Sequence, residues 1–418
     1  MPTFGAGLRA IARNGILLSG AMWIETAIRF GYILAITHYI GAEGYGVWAY
    51  AAAAYLLGVG LSGFGLDALI PVRLGASRQG TGRYLGATLT IRVALGALAG
   101  AGLAAYAGLV EPDPTIRIAL LLAVPALVGR SLSLWVRTVF VACESPARQV
   151  RLSVAMRLAE VATGVALLWA GGGILGIMAV HALAMMTEAA LGLVLMNRHV
   201  ARVRLTIAAS EIRPILGQGA TLGVTAMLTA WLSAGPLILL RHFGPSDLAT
   251  IGQFALALQV GNLLVAAVIP FYQAALPALS RSVANGDPRA HGYGLLTAGA
   301  ALLLFGGAAA LGFAAGPWAV TTVLGAEFAL TGSLLAPGII IGALVVLPTG
   351  FSQMLLVRGR RRATMLAAGL GCAVLILAFP QATMQWGVHG AAAALAGAWF
   401  IRSSVIMLIV TSLGPPRT

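Results

Sequence analysis

Residues 15–36 read GILLSGAMWIETAIRFGYILAI, an apolar run that contains only two charged residues, Glu25 and Arg29. A helix needs about 20 consecutive apolar residues to cross the hydrocarbon core of a membrane, so this run is long enough for one span. It lacks the short apolar core and the small-residue cleavage site of a secretory signal peptide. We therefore expect the run to be the first transmembrane helix, retained in the mature protein.

The whole chain has the composition of a membrane protein. Of its 418 residues, 59% are hydrophobic and only 9% are charged, whereas about 25% of the residues of soluble proteins are charged. This composition excludes a soluble enzyme of two or three domains and predicts an all-α polytopic membrane protein. Twelve candidate spans lie near residues 14–37, 46–70, 85–109, 118–142, 152–171, 174–197, 214–240, 248–276, 293–315, 330–356, 364–380 and 388–411.

Arginine residues predict the orientation of these spans. The chain has 26 basic residues, all of them Arg, against 12 acidic ones. If the N-terminus is cytoplasmic, 18 Arg lie in cytoplasmic segments and only Arg117 and Arg241 lie in the opposite loops. Cytoplasmic loops are enriched in Arg and Lys, so both termini are predicted to be cytoplasmic, in the inner membrane of the cell. Topology thus accounts for the basic charge, and no nucleic acid partner is expected.

Two similar motifs predict that the chain consists of two halves. HYIG at 38–41 ends the first span and RHFG at 241–244 ends the seventh, and each is followed by a long span that closes on a proline, Pro71 or Pro277. Copies separated by six spans have the same orientation, as in the parallel repeats of some transporters.

The predicted domains are an N-terminal six-helix bundle at 1–197, a cytoplasmic linker at 198–213 and a C-terminal six-helix bundle at 214–418. In the linker, the spacing of Ile207, Glu211 and Arg213 is compatible with an amphipathic helix on the membrane surface.

Six Arg lie within predicted spans, five of them in the N-terminal half. An ionised side chain at the centre of a membrane costs about 2.5–3.5 kcal/mol on insertion scales, so it normally faces a cavity or a partner. The planar guanidinium fork suits a phosphate or a carboxylate. The candidates for binding a diphosphate group are Arg29, Arg92, Arg130, Arg137 and Arg157. For the last two and for Arg92, snorkelling towards the cytoplasmic surface is the alternative.

Two of these Arg have an acidic residue on the same helix face. Glu25 and Arg29 are spaced i,i+4, and Arg157 and Glu160 are spaced i,i+3, so each pair can form an ion pair within its helix. A structural ion pair and a role in proton coupling are both open for each carboxylate.

His181 and Glu188, seven residues apart, share one face of the sixth span. Alone, His181 would be interpreted as a core histidine, but with Glu188 it allows a proton relay. The candidates for ion coupling are therefore Glu25, Glu160, His181 and Glu188.

The C-terminal half contains one intramembrane Arg, Arg402, together with neutral amide side chains. A cationic N-terminal bundle and an amide-rich C-terminal bundle suit a substrate with an anionic head and a polar, uncharged body. The candidates for contacting its polar body are Gln218, Gln253, Gln259 and Asn262. Hydrogen bonding between helices is the alternative for these amides.

Motif searches favour no enzyme. The chain has no GxxxxGK[ST] phosphate loop, no HExxH and no GxSxG motif, so ATP hydrolysis and the corresponding hydrolase chemistry are not expected. Cys143 and Cys372 are the only cysteines and neither lies in a metal-binding spacing, so no disulfide framework, zinc site or other cofactor is expected.

Several short segments, spread over most of the chain, are similar to one family of membrane proteins. They are RNG at 13–15, IGAEGYG at 40–46, GLD at 65–67 with Pro71, LGAEF at 324–328 with Leu334 and Leu335, and GVHGAAA at 387–393. In these segments the chain resembles polysaccharide-biosynthesis membrane proteins, the O-antigen and exopolysaccharide flippases of the multidrug/oligosaccharidyl-lipid/polysaccharide exporter superfamily.

The resemblance implies two six-helix bundles around a V-shaped central cavity. It also implies transfer of an undecaprenyl-diphosphate-linked glycan from the cytoplasmic to the periplasmic leaflet by alternating access, with an ion gradient involved in some members. The five Arg of the N-terminal half match the cationic lobe of the family by region. The implied partners are the lipid-linked glycan, membrane lipids, a glycan polymerase and glycosyltransferases.

Three alternatives stay open. A cation-coupled multidrug exporter of the same superfamily would favour an acidic cavity rather than a cationic one. A scaffold of a glycan-synthesis complex would not need accessible Arg side chains. A membrane glycosyltransferase or ligase is disfavoured because the predicted external loops are short.

Overall fold

The computed structural model describes residues 4–76, 79–244, 247–284 and 289–412, and all regular elements in these residues are helical. The α-helices, named α1 to α12 in chain order, are Phe4–Gly63, Leu66–Ala76, Thr81–Leu109, Pro114–Ala142, Ala147–Trp169, Ile174–His199, Ala209–Phe243, Leu248–Ala284, Arg289–Leu324, Ala329–Val346, Thr349–Val357 and Arg361–Ser412. A 3-10 turn, Ala326–Phe328, precedes α10. The all-α prediction is confirmed.

Ten helical stretches of the described chain are long and apolar enough to cross a membrane. Two of them, Met22–Gly75 and Arg361–Ser412, contain 54 and 52 residues, about twice the length of one crossing. Each is kinked at a glycine with non-helical backbone angles, Gly41 at φ 68° and Gly387 at φ 58°. Counting one span on each side of each kink gives the twelve spans that the sequence predicts.

The second span is interrupted, which the sequence analysis missed. Helix α1 ends at Gly63 and α2 begins at Leu66, because Phe64 and Gly65 have positive φ angles of 39° and 72°. A positive φ is uncommon for a residue other than glycine, so surrounding packing must hold Phe64 in this conformation. Gly223 of α7 provides that packing, since a Cβ atom there would lie 2.9 Å from the ring of Phe64.

The helices form two compact units. The first unit consists of Met1–Tyr39 and Ala51–Met227, and the second consists of Ile40–Tyr50 and Leu228–Thr418. The first half of α7 therefore packs with the first unit and its second half with the second. The predicted domain limits at 1–197, 198–213 and 214–418 follow chain order rather than this packing, and they stay a prediction.

Helix α4 is the central element of the first unit. The Asp113 side chain caps its N-terminus by accepting a hydrogen bond from the backbone N–H of Thr115 at 2.7 Å. Helix α4 lies so close to α6 that a Cβ atom on Gly129 would be 2.5 Å from the carbonyl carbon of Met185. Trp135 is fully buried in an apolar cluster that α4 shares with α2 and α3. These contacts fix the position of the helix that carries Arg130, Ser133 and Arg137.

The chain between α6 and α7 has no regular secondary structure at residues 201–208 and lies against α3. The backbone N–H of Thr206 donates a hydrogen bond to Oγ1 of Thr90 at 3.0 Å. A Cβ atom on Gly86 would lie 2.2 Å from the carbonyl oxygen of Arg204, so this approach requires glycine.

The expected amphipathic helix in the linker is therefore wrong. Ile207 lies in this irregular segment, and α7 begins only at Ala209. Glu211, in the first turn of α7, forms an ion pair with Arg83 of α3 at 3.1 Å. The linker is held by these contacts to α3 instead of by an amphipathic face.

The second unit is packed mainly through apolar side chains of α8 to α12. Phe305 and Val346 are fully buried in a cluster formed by α8, α9 and α10. Phe351 and Ile406 belong to another cluster, which α11 shares with the last part of α12.

Candidate functional site

Helix α4 presents polar side chains on two faces. Arg130, Ser133 and Arg137 are spaced three and four residues apart and share one face, whereas Ser131 and Thr138, seven apart, share another. Each face contacts a separate hydrogen-bonded network in the first unit.

The first network surrounds the carboxylate of Glu188 on α6, which is only 1% exposed. Its Oε1 atom accepts hydrogen bonds from the hydroxyls of Ser133 at 2.6 Å and Ser153 at 2.8 Å. Its Oε2 atom accepts a hydrogen bond from the guanidinium of Arg157 at 3.0 Å. Three donors from α4 and α5 hold this carboxylate in one position.

A chain of hydrogen bonds continues from Arg157 through three further buried residues. Arg157 donates to Oε2 of Glu160, so the ion pair predicted from the i,i+3 spacing is present. Oε1 of Glu160 lies 2.7 Å from Nδ1 of His181, and Nε2 of His181 lies 3.3 Å from the hydroxyl of Tyr55. His181 thus contacts Glu160 rather than the predicted Glu188, and Arg157 connects the two carboxylates.

The second network is built around Arg92 of α3, which is 1% exposed. Its guanidinium donates hydrogen bonds to Oδ1 of Asp67 at 2.6 Å and to the hydroxyl of Ser131 at 3.0 Å. The hydroxyl of Thr138 also donates to Oδ1 of Asp67, at 3.1 Å. Arg92 is therefore an internal ion-pair partner. Neither Arg92 nor Arg157 snorkels, because both are buried inside the unit.

Asp67 is the functional-site residue that sequence reasoning missed. It lies in the first turn of α2, directly after the interruption at Phe64 and Gly65, and its side chain is 48% exposed. The two glycines in GFG at 63–65 were the signal for a helix break that places a carboxylate inside the second span.

Glu25 forms its ion pair with a different Arg from the one predicted. Its carboxylate lies 3.4 Å from the guanidinium of Arg137 on α4. The predicted pair between Glu25 and Arg29 is therefore wrong, and the side chain of Arg29 is exposed. Tertiary contact with α4 has replaced the local i,i+4 contact.

Arg29 and Arg130 stand apart from the other three. Within the part of the chain that the structure describes, neither forms an ion pair or a hydrogen bond. Arg130 is partly buried on α4. It experiences electrostatic repulsion from Arg29 and Arg157 and attraction from Glu188. Of the five candidate Arg, Arg29 and Arg130 are thus the two without a salt bridge among the described residues.

The charge balance of the first unit is less positive than predicted. The sequence analysis weighed five intramembrane Arg against three Glu, and Asp67 adds a fourth carboxylate. Three of the Arg are neutralised by ion pairs with Glu25, Asp67, Glu160 and Glu188. The remaining positive charge is concentrated on Arg29 and Arg130.

The four amides predicted to contact the glycan lie in different environments. Gln253 is buried, and its side-chain carbonyl accepts a hydrogen bond from the backbone N–H of Thr331 at 3.2 Å, so it joins α8 to α10. Gln259 is partly exposed and Asn262 is exposed, both on α8. Gln218 is exposed on the half of α7 that packs with the first unit.

In the described residues, no group of three or more His, Cys, Asp or Glu side chains is placed to hold a metal ion. Cys143 and Cys372 are both free thiols. The polar chemistry of the first unit is thus that of Arg, carboxylate, His and hydroxyl groups.

Comparison with known proteins identifies the fold. No protein-family model matches the chain, and no curated protein matches it by sequence. The lipid II flippase MurJ in an inward closed conformation superimposes with a TM-score of 0.74 at 14% identity, over 95% of this chain and 87% of that one. The MATE multidrug transporter DinF-BH gives a TM-score of 0.69 at 13% identity, over 97% of this chain and 95% of that one.

A third similar structure is a MOP superfamily transporter from Pyrococcus furiosus, described by the reverse polarity of its binding pocket. Its TM-score is 0.64 at 13% identity, over 96% of this chain and 95% of that one. Likeness at such low identity defines the fold alone. The chain therefore has the all-helical fold of the MATE and MOP superfamily transporters.

Proposed function

We propose that this protein is a transporter that moves a lipid-linked glycan precursor across the cytoplasmic membrane, with a diphosphate group bound by Arg29 and Arg130. The observation that carries the proposal is that neither guanidinium group forms a salt bridge among the described residues, although Glu188 and Glu160 lie in the same charged cluster. The lipid II flippase MurJ, whose structure has the same fold, supports the proposal of a lipid-linked cargo.

Two neighbouring cations in a membrane-spanning bundle are unfavourable unless an anion joins them. Arg130 and Arg29 repel each other, and burial strengthens such repulsion. A diphosphate offers several oxygens and more than one negative charge, which suits two guanidinium forks at once. Arg137, which is paired with Glu25, lies seven residues after Arg130 on the same face of α4.

The polar body of the cargo is assigned to the second unit, where Gln259 and Asn262 are accessible amides on α8. Gln253 is better explained as a contact between helices, because its side-chain carbonyl and its backbone carbonyl both accept hydrogen bonds from Thr331. The prenyl chain would stay in lipid. Polymerase and glycosyltransferase partners belong to this proposal and follow from the nature of the cargo.

Ion coupling is assigned to Glu160 and His181. Their contact connects α5 to α6, and Tyr55 extends it to α1. A histidine side chain can bind and release a proton, which is the property that a proton-coupling residue needs. Glu188 is held by three donors and Glu25 pairs with Arg137, so these two carboxylates are assigned structural roles.

A multidrug exporter is the rival function, since DinF-BH has the same fold. Cationic drugs require an accessible carboxylate, and Asp67, with its half-exposed side chain, is the observation that favours this rival. Its Oδ1 atom is already used by Arg92 and Thr138.

Transport by the full-length protein in liposomes distinguishes these functions. The probe is a fluorescent prenyl-diphosphate disaccharide, and the readout is its arrival in the opposite leaflet. We expect Arg29→Gln and Arg130→Gln each to lower the rate at least tenfold. The control is Arg151→Gln, the same change at an exposed position of α5.

Equal rates in the wild type and in both variants would reject the site. Movement of a rhodamine-type cation, but not of the diphosphate probe, would support the drug exporter. A wild-type protein that moves neither probe would support the scaffold.

A further inference from the structure

Arg402 is the intramembrane Arg of the second unit, and the proposed function does not use it. It lies on α12 after the kink at Gly387, roughly ten residues before the end of the helix at Ser412, or about 15 Å at 1.5 Å per residue. The hydrocarbon core is about 30 Å thick, so this position is near the centre of the membrane.

No acidic side chain is available to neutralise Arg402 from within the spans of the second unit. Between residues 228 and 418 the acidic residues are Asp247, Asp287 and Glu327, and all three lie outside the predicted spans. Glu43, in the segment that packs with this unit, also lies between spans. The charge of Arg402 is therefore not part of a structural ion pair of the kind that holds Arg92 and Arg157.

The surroundings of Arg402 are apolar and aromatic. Its guanidinium carbon lies 4.9 Å from the centre of the Trp399 ring, and Trp399 is 2% exposed. The nearby thiol of Cys372 donates a hydrogen bond to the backbone carbonyl of Leu228 at 3.2 Å, so this carbonyl already has a donor. The stacked ring fixes the plane of the guanidinium and leaves its hydrogen-bonding edges for another ligand.

One polar atom of Arg402 is buried without a partner. Its Nε atom has no hydrogen bond from the described chain, while the residue as a whole is partly exposed. The buried Nε places the inner edge of the guanidinium against the protein rather than against lipid. A guanidinium with unused N–H donors on a partly exposed side chain can bind both oxygens of one oxyanion.

We infer that Arg402 is a second anion-binding site, which binds an oxyanion on the polar body of the cargo, such as the carboxylate of an acidic sugar. The inference rests on the proposed function, because the diphosphate is already assigned to Arg29 and Arg130. It adds that the transported glycan is acidic. A phospholipid phosphate offers the same chemistry, but headgroups lie outside the hydrocarbon core and Arg402 lies near its centre.

Thermal unfolding of the purified full-length protein in detergent tests the site without transport. The probes are glucuronate, glucose and phosphatidylglycerol. We expect glucuronate to raise the unfolding midpoint of the wild type and glucose to leave it unchanged. In Arg402→Gln the apparent affinity for glucuronate should fall at least tenfold, and Arg402→Lys should retain part of it. The control is Arg361→Gln, an exposed position at the start of the same helix.

Equal stabilisation of wild type and Arg402→Gln by glucuronate, or none in either, would overturn the site. Stabilisation by phosphatidylglycerol alone, lost in Arg402→Gln, would assign the oxyanion to lipid and overturn the assignment to cargo.

The liposome assay separates this inference from the proposed function. With prenyl-diphosphate disaccharides that end in glucuronate or in glucose, Arg402→Gln should slow only the acidic probe, by at least tenfold. Equal slowing of both probes would mean that Arg402 acts on the diphosphate, and would contradict the inference. If the wild type moves neither probe but glucuronate still binds through Arg402, the proposed function fails and the anion site stands.

Discussion

The guanidinium of Arg137 lies 3.4 Å from the carboxylate of Glu25, which joins α4 to the first transmembrane segment. This contact removes from Arg29 the counter-ion that its own helix offers at the i−4 position. Arg29 and Arg130 are thereby left as two cations that repel each other. The proposed diphosphate site depends on this rearrangement of partners.

Removing the carboxylate of Glu25 should strengthen anion binding. In Glu25→Gln, Arg137 loses its partner and becomes a third available cation, so the affinity for farnesyl diphosphate should rise several-fold. Isothermal titration of the purified protein measures this change. Glu211→Gln, which breaks the surface pair with Arg83, serves as the control and should leave the affinity unchanged. Lower affinity in Glu25→Gln would show that Glu25 supports the site rather than neutralising it.

Arg157 should be the most important of the Arg residues for stability. It is the only partner that bridges Glu160 and Glu188 in the described network. Breaking a buried ion pair by removing one member costs about 3–5 kcal/mol, because the other member stays buried and uncompensated. Arg157→Gln should therefore lower the unfolding midpoint strongly, whereas Arg151→Gln at an exposed position of the same helix should not. Similar midpoints for the two variants would contradict the network.

Replacement of two glycines of α3 by alanine should change the stability of the protein in opposite directions. A Cβ atom at Gly86 would lie 2.2 Å from the carbonyl oxygen of Arg204, whereas one at Gly102 would have no neighbour within 4 Å. Gly86→Ala should displace the linker segment at 201–208 and destabilise the protein by about 1–3 kcal/mol. Gly102→Ala should be neutral or stabilising by up to about 1 kcal/mol, as expected for a helical glycine. The thermal unfolding midpoints of the two variants measure these changes. An unchanged midpoint in Gly86→Ala would show that the linker can move away from α3 without cost.

His181 should confer sensitivity to a proton gradient. The groups that surround it are Glu160 on α5 and Tyr55 on α1, with Arg29, Arg130, Arg157 and Glu188 nearby in the same charged cluster. His181→Gln keeps a hydrogen-bonding side chain but cannot become charged. In liposomes, an imposed pH gradient should change the rate of the wild type and leave the rate of His181→Gln unaffected. A gradient response that survives in this variant would exclude His181 as the coupling group.

Much of the fold was predictable because membrane spans leave a strong local signal. The twelve apolar runs correspond to the helices and kinks of the structure, with Gly41 and Gly387 at the turns. The interruption at Phe64 and Gly65 was missed because hydropathy reports how apolar a segment is and is insensitive to a change in backbone direction. The irregular conformation of the linker at 201–208 was also missed, because its contacts to α3 depend on Gly86, which is remote in sequence.

The candidate site was predictable in composition but not in pairing. Sequence spacing identified the Arg157 and Glu160 pair because both residues lie on one helix. It gave the wrong partner for Glu25, since Arg137 reaches it from another helix. It also placed Glu188 beside His181, whereas Ser133, Ser153 and Arg157 hold that carboxylate from α4 and α5. Local spacing cannot reveal contacts that arise only when helices pack.

The most direct test of the central claim is the binding of farnesyl diphosphate, compared with farnesol, to the wild type and to the double variant Arg29→Gln/Arg130→Gln. Hydrogen bonds to charged groups contribute about 1.5–3 kcal/mol each, so losing two Arg should weaken binding by at least a hundredfold. We predict this loss for the diphosphate and unchanged, weak binding of farnesol in both proteins. Equal affinity of the wild type and the double variant for farnesyl diphosphate would contradict the account.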